Sequence, residues 1–162
     1  MRKPEDIISE IRYNVNNHGI KDFTFSDETF NSNMTYMERF CTLIEAEGLK
    51  VTLGGQGRIT RWMTPEVLRK MKQAGFYGIN YGLESGSDKV IADMKKGFDA
   101  ALACRVLRDT HEAGIRAVVN FIVGYPAEDE IAFAETLEFL RQNAKYISAV
   151  NTVSHCRINK GS

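Results

Sequence analysis

Residues Ile79-Asn80-Tyr81-Gly82-Leu83-Glu84-Ser85-Gly86-Ser87 read as a strand running straight into a small, polar, glycine-rich turn. Asp88 to Met94 behind them read as helix. Tyr81 and Leu83 alternate with smaller residues, which suits a strand packed on both faces. Glu84, Ser85 and Ser87 arrive together where the strand should end. In parallel α/β sheets and barrels that end is where ligands bind. A carboxylate and two hydroxyls among glycines there are suited to gripping hydroxyls, amines or phosphates. Equally, Ser87 can act as the helix N-cap and the glycines can simply shape the turn. Local chemistry alone leaves both readings open.

Outward from this stretch a grammar repeats four times: a helical segment, a glycine, then a short apolar strand. The joints are Gly19-Ile20, Gly48-Leu49, Gly75-Phe76 and Gly114-Ile115. Each glycine suits the position just past a helix, where φ > 0 is needed. The joints lie roughly 27 to 39 residues apart, about the length of one βα unit. The helical segments carry apolar stripes at spacings of three and four: Ile7, Ile8, Ile11 and Val15; Met37, Phe40, Cys41 and Ile44; Val67, Leu68 and Met71, with Thr64 as N-cap and Pro65 at the first position; Ala103, Val106, Leu107 and Ala113; Phe133, Leu137 and Leu140. Strands are expected at Lys21–Ser26, Lys50–Gly54, Gly78–Leu83, Ile115–Val123 and Ile147–Ser154. Strict alternation of helix and strand requires a parallel sheet, because each parallel connection needs a crossover helix. Periodicity does not decide between an open doubly wound sheet and a partial barrel.

Composition narrows the class. The 162 residues hold 43% apolar and 26% charged side chains, the profile of a globular chain expected to form one domain over 1–162. Basic and acidic residues balance at 21 each, so no chain-wide electrostatic footprint for nucleic acid or an anionic membrane is present. No apolar run approaches the roughly 20 residues of a membrane span, and no signal segment opens the sequence, so the expected location is cytoplasmic. Cys41, Cys104 and Cys156 lack metal-ligand spacing, and Cys41 falls on an apolar helix stripe where a small buried residue belongs. No phosphate-binding glycine loop, nucleophile elbow or paired histidines occur. The strand ends instead gather polar and glycine residues: Ser26-Asp27-Glu28, Gly54-Gly55-Gln56-Gly57-Arg58, Glu84-Ser85-Gly86-Ser87, Gly124-Tyr125-Pro126 and His155-Cys156. That density favours a face where a ligand approaches backbone closely.

The linear order of these segments resembles the radical S-adenosylmethionine (radical SAM) enzymes, in particular the branch that carries a cobalamin-binding domain. The phrases that carry the resemblance are Ile20 to Phe30, Gly82-Leu83-Glu84-Ser85-Gly86-Ser87, Met94-Lys95-Lys96-Gly97, Ala113-Gly114-Ile115 and Ile122-Val123-Gly124-Tyr125-Pro126-Ala127-Glu128. Together they run over nearly the whole chain. The resemblance implies an α/β fold, a partial parallel (β/α) barrel of TIM-like type with about five strands here and its first strand missing. It also implies a [4Fe–4S] cluster held by Cys-x3-Cys-x2-Cys, at which S-adenosylmethionine is reductively cleaved to a 5′-deoxyadenosyl radical. The cofactor then carries the hard chemistry and the protein positions it.

Carried over by resemblance, Glu84 and Ser85 meet the ribose and methionine parts of the cofactor, and Asp27 and Glu28 lie beside the methionine amino group. Gln56 and Arg58 reach its carboxylate or the substrate, and Ile122 and Gly124 pack against adenine. Ala127 and Asp129 depart from the family's Pro-Gly-Glu-Thr phrase. No residue is assigned a catalytic or metal-ligating role, since the cysteine motif is absent from these residues. The expectation is a fragment of a longer enzyme, inactive alone, with the cluster ligands upstream of Met1. Its second-strand edge would be unpaired and prone to self-association, its cobalamin dependence open, and its partner a small-molecule substrate of undefined class. Two readings compete with it: a non-catalytic α/β binding module, and a doubly wound domain holding a nucleotide or phosphorylated metabolite. Anaerobic reconstitution of this chain with iron and sulfide is expected to give no stable [4Fe–4S] chromophore; a stoichiometric cluster would refute that expectation.

Overall fold

The computed structural model describes residues 2–27 and 29–156. Helices and strands alternate as α1 (Pro4–His18), β1 (Asp22–Phe25), α2 (Met34–Ala46), β2 (Thr52–Gly57), α3 (Pro65–Gln73) and β3 (Phe76–Glu84). They continue as α4 (Asp88–Asp93), α5 (Ala100–Glu112), β4 (Arg116–Val123), α6 (Glu130–Asn143) and β5 (Ala149–His155). The five strands form one open sheet in the order β1-β2-β3-β4-β5, and every neighbouring pair is parallel.

That order decides between the two architectures left open by periodicity. A doubly wound sheet reverses its strand order part-way and so receives helices on both faces. Here the order never reverses, and right-handed crossovers then deliver every helix to the same face. The helices accordingly pack in a row, α1 on α2, α2 on α3, α3 on α5 and α5 on α6. The architecture is an open, TIM-like partial barrel, and among the described residues one face of the sheet carries no helix.

Side chains alternate to match. Ile79, Tyr81 and Leu83 of β3 and Ala117, Val119 and Phe121 of β4 are buried against the helices. Their partners on those helices are the expected stripes: Ile8 and Ile11, Met37, Phe40, Cys41 and Ile44, Leu68 and Met71, and Ala103, Val106 and Leu107. Burial pushes the Cys41 thiol up to about 12, so it sits as an apolar, unreactive group. The deepest polar contact is the Tyr81 hydroxyl, 2.9 Å from Thr110 Oγ1. Thr110 passes its own proton to the Val106 carbonyl at 2.7 Å. Apolar surroundings raise the Tyr81 pKa, which keeps the phenol neutral and the contact intact.

Three local expectations need correction. First, β2 does not stop at Gly54 but runs to Gly57, because its glycines serve packing. A Cβ on Gly55 would stand 3.0 Å from the Phe25 Cβ, and one on Gly57 2.6 Å from Ile79 Cγ2. The space is filled by a ring cluster in which Phe25 lies 5.7 Å from Phe30, 5.3 Å from Phe40 and 6.0 Å from Phe76. Second, β3 begins at Phe76, with a bulge opposite Leu53 and Gly54 that the Gly78 boundary missed. Third, α6 faces the core through Ala132, Thr136, Phe139 and Asn143, while Phe133 and Leu137 are each 40% exposed. The real stripe holds two polar residues, each bonded to a carbonyl one turn back: Thr136 to Ala132 and Asn143 to Phe139.

Gly57→Ala is expected to destabilise the fold by about 1–3 kcal/mol, since the branched Ile79 side chain it meets is fully buried. Gly78→Ala, whose Cβ would find only ordinary contacts of 3.6 and 3.7 Å, is expected to leave the urea midpoint nearly unchanged. Equal midpoint shifts would disprove the packing account of β2.

Candidate functional site

Alternation places Thr24, Gln56, Gly78, Asn80, Val118 and Ile122 on the face without helices. A cavity of about 520 Å³ opens there, lined by Thr24, Gln56, Gly78, Asn80, Val118 and Asn151, with Ser26 and Asp27 at the end of β1. Its polar groups are neutral in the middle and charged only at the strand ends. Asn151 Nδ2 donates to Asn120 Oδ1 at 3.3 Å, so these two carboxamides support each other. Asn80 Oδ1 is buried and finds no donor among the described residues. A buried acceptor left alone costs about 1–3 kcal/mol, and it marks where a ligand donor fits. A hollow of about 400 Å³ at the opposite edge of the sheet lies between the helix ends at Gly48 and Gly75 and is lined by Lys21, Glu45, Lys50 and Gln73.

Glu84 is the most constrained residue of this face. Its φ is 68°, left-handed for a residue with a side chain. It also follows a register shift between Gly82 and Glu84 against β4. Left-handed backbone costs a non-glycine residue about 1–2 kcal/mol, and bulges re-aim side chains at functional edges. Here both devices turn the carboxylate back over Gly82: a Cβ on that glycine would stand 2.8 Å from Glu84 Oε1. Lys96 Nζ meets the same oxygen at 3.4 Å, and both side chains are about four-fifths buried. Lys96 rides on a turn whose neighbours Lys95 and Gly97 are themselves left-handed, at φ 54° and 78°. From β2, Arg58 Nη2 reaches the Lys96 carbonyl at 3.4 Å. The Arg58 backbone is clamped by buried Asn31, which donates to its carbonyl at 2.9 Å and accepts from its N–H at 2.7 Å. One carboxylate and two cations are thus held together at the ends of β2 and β3.

The remainder of the turn after β3 faces the other way. Ser85 is fully buried: its Oγ lies 2.9 Å from Thr136 Oγ1 and accepts the Ser87 N–H at 3.1 Å. The Gly86 N–H donates to Thr136 Oγ1 at 3.1 Å, and a Cβ on Gly86 would stand 2.5 Å from that of Phe139. Ser87 occupies the N-cap position of α4 but donates to Glu135 instead of capping. These three residues seat α6, and the Ser85 hydroxyl does not face the cavity. Packing against Phe139 accounts for Gly86 and packing against Ile79 for Gly57, whereas Gly55 also lines the cavity.

Beyond β4, Gly124 has φ 76° and open space where a Cβ would be. Its N–H donates to Glu128 Oε2 at 2.6 Å, closing the loop. Asp93 of α4 bonds to Tyr125 of the same loop and raises its phenol pKa. Asp129, which departs from the family phrase, caps α6 by accepting from the Ala132 N–H at 2.9 Å and pairs with Lys89 at 2.7 Å. Lys89 and that N–H hold its carboxyl below the usual range. Of the residues singled out in the sequence, Asp27 and Gln56 line the cavity, Arg58 and Glu84 share the charged cluster, and Ile122 and Gly124 lie at the end of β4. Glu28 lies outside the described residues.

The profile of the Radical SAM superfamily matches residues 1–140. The chain belongs to that superfamily. Among curated proteins it is 25% identical to an uncharacterized methyltransferase of Pyrococcus horikoshii, over 85% of this chain and 30% of that protein. It is 30% identical to the tRNA-2-methylthio-N(6)-dimethylallyladenosine synthase of Bifidobacterium adolescentis, over 91% of this chain and 32% of the synthase. The chain therefore spans about a third of the length of these relatives. Its fold matches the radical S-adenosylmethionine methyltransferase TsrM of Kitasatospora setae, solved with cobalamin and a [4Fe-4S] cluster bound. The TM-score is 0.82 over 98% of this chain and 30% of TsrM, at 17% identity. The cobalamin-dependent S-adenosylmethionine radical enzyme OxsB matches with a TM-score of 0.74 over 85% of this chain and 22% of its own, at 18% identity.

Measured against that family, the described residues hold no group of three histidine, cysteine, aspartate or glutamate side chains able to bind a metal ion. The cluster does not fit them. S-adenosylmethionine does: the orphaned Asn80 oxygen, the apolar end of β4 and the charged cluster complement its nucleoside and amino-acid parts. Sequence reasoning missed Lys96, which lay inside a quoted phrase without a role. It also missed Asn80, which period-two alternation from Leu83 and Tyr81 places on the open face.

Glu84→Gly is expected to be about 1 kcal/mol more stable than Glu84→Ala, because both lose the carboxylate while only alanine keeps a β-carbon at positive φ. Thermal unfolding of the pair measures this, and an alanine variant as stable as the glycine one would overturn the strain at Glu84.

Proposed function

We propose that this chain is the portion of a radical SAM catalytic barrel that grips S-adenosylmethionine, with the cluster's cysteines supplied from outside the described residues. The carrying observation is the Glu84–Lys96–Arg58 cluster at the ends of β2 and β3, the strands whose Gln56 and Asn80 line the cavity. An α-amino acid presents an ammonium and a carboxylate within a few ångströms, and the cluster offers a carboxylate for the first and two cations for the second. Glu84 and Asp27 bind the ammonium; Lys96 and Arg58 bind the carboxylate, Arg58 with the fork geometry that favours such pairs. Asn80 Oδ1 accepts from a ribose hydroxyl or the adenine amine, and Gln56 serves the same part of the ligand. Ile122 and the open backbone at Gly124 cover the adenine face. Ser85 contributes by seating α6 beneath the site.

Held by these residues, S-adenosylmethionine would supply a 5′-deoxyadenosyl radical once reduced at a cluster whose ligands lie outside the described residues. The role of the chain's own residues is to orient the ligand, holding its amino-acid end at the charged cluster and its nucleoside over the sheet. Cobalamin joins the proposal because the TsrM and OxsB structures carry it; no residue of this sheet is assigned to hold it. The domain range 1–162, inactivity of the isolated chain and self-association at the β1 edge belong to the same reading. The β1 edge supports the last of these, since Phe23, Phe25 and Leu53 line a groove of about 300 Å³ beside it.

Isothermal titration with S-adenosylmethionine tests the assignment. Glu84→Gln and Lys96→Met are each expected to weaken binding by roughly tenfold, the size of one charge-assisted contact. 5′-Deoxyadenosine, lacking the amino acid, is expected to bind more weakly and to ignore both substitutions. Equal affinity for the two ligands would refute the zwitterion site.

A further inference from the structure

Arg58 lies one residue past β2, whose register with β3 ends at Gly57 and Tyr81. Its neighbours Gly57 and Ile59 are buried, while Arg58 itself is exposed. Backbone groups that leave a sheet at the surface commonly bond to water. Here they do not. Asn31 Nδ2 donates to the Arg58 carbonyl at 2.9 Å, and Asn31 Oδ1 accepts the Arg58 N–H at 2.7 Å. One carboxamide thus supplies both backbone contacts that a neighbouring strand would make.

Asn31 is only 2% exposed, and it is itself fixed from both sides. Before it, Phe30 is buried with its ring 5.7 Å from Phe25 and 5.4 Å from Phe76, and its N–H donates to the Gln56 carbonyl at 3.0 Å. After it, Asn33 caps α2 by accepting the Tyr36 N–H at 3.0 Å. The connection between β1 and α2 is therefore stitched along the end of β2, at Gln56 and at Arg58. Gln56 lines the cavity, and Arg58, two residues on, shares its side of the extended chain.

A buried carboxamide can serve stability alone. This one holds the residue whose guanidinium crosses from β2 to the turn after α4, where Nη2 reaches the carbonyl of Lys96, the partner of Glu84. An arginine side chain has many rotamers, so a fixed backbone origin decides where its fork arrives. We propose that Asn31 is a positioning residue of the S-adenosylmethionine site: by holding the Arg58 backbone it sets where the guanidinium meets the ligand carboxylate. Asn31 touches no ligand itself, and the inference rests on the assignment of Arg58 to that carboxylate.

The test is isothermal titration of Asn31→Ala, Arg58→Gln and the double variant with S-adenosylmethionine and with 5′-deoxyadenosine, which lacks the carboxylate. Arg58→Gln is expected to weaken S-adenosylmethionine binding roughly tenfold, the size of one charge-assisted contact, and Asn31→Ala roughly three- to tenfold. Both should leave 5′-deoxyadenosine affinity unchanged. The double variant should bind no more weakly than Arg58→Gln, because the clamp acts only through that side chain. A merely structural role would weaken both ligands alike and add to Arg58→Gln. Asn31→Asp has the same shape but sets a carboxylate oxygen against the Arg58 carbonyl; it should show the same selective loss, and it replaces Asn31→Ala if circular dichroism finds the alanine variant unfolded. Loss on Arg58→Gln with no loss, unselective loss or additive loss at position 31 overturns this inference and leaves the Arg58 assignment standing. Unchanged affinity in Arg58→Gln overturns both.

Discussion

Parallel strands laid down in chain order, with right-handed crossovers, can place helices on one side of a sheet only. The features of the candidate site derive from that constraint. The helix side takes Tyr81, Leu83, Val119 and Phe121 into a close-packed core. The other side inherits whatever the alternate positions hold, and an extended apolar surface there would be an aggregation hazard. In this chain those positions carry, beside Val118 and Ile122, small or neutral polar groups: Thr24, Gly78, Gln56, Asn80 and, across on β5, Asn151. Carboxamides offer a donor and an acceptor without the desolvation cost of a charge. The result is a face that stays wet when empty and reads hydrogen-bonding edges when filled.

The turn after β3 shows how the charged end of that face is made. Four consecutive residues divide between two tasks. Ser85, Gly86 and Ser87 lock onto Thr136, Phe139 and Glu135 of α6, and that close approach leaves Glu84 no ordinary backbone conformation. Its left-handed φ is the geometric consequence of joining a strand to a turn pinned from the helix side. The strain is offset by burial of Ser85 and by contacts along α6, as strained functional residues generally require support elsewhere. Thr136 holds the two residues that follow Glu84, through the Ser85 hydroxyl and the Gly86 N–H.

The glycines at the helix ends were legible because a single requirement, positive φ, selects them; Gly75, at φ 102°, could not carry a Cβ, which would stand 2.2 Å from the Val51 carbonyl oxygen. Four apolar stripes were legible for the same kind of reason, one period and one residue class. The stripe of α6 was not, since Thr136 and Asn143 bury their polar groups by bonding to carbonyls of their own helix, and hydrophobic periodicity is blind to that. Glycine within β2 read as loop because a packing role for Gly55 and Gly57 depends on Phe25, Phe30 and Ile79 arriving from elsewhere. In the site, Glu84 and Arg58 could be named from motif position, whereas Ser85 could not be told from a ligand-facing serine. A turn's direction is tertiary information.

Arg58 joins two of these elements mechanically. Its backbone is fixed by Asn31, and its guanidinium bonds to the carbonyl of Lys96, the residue that pairs with Glu84. The same backbone opens the loop that carries Arg61 and Trp62, and Arg105 secures the far side of that loop to α5. A displacement of the turn around Lys96 therefore pulls on Arg58 and through it on the loop, with buried Ile59 and Met63 resisting independent movement. Close-packed interiors transmit such shifts because they have little free volume to absorb them. The Lys96 turn and the loop after β2 are tied through one residue, Arg58, whose guanidinium bonds to the first and whose backbone begins the second.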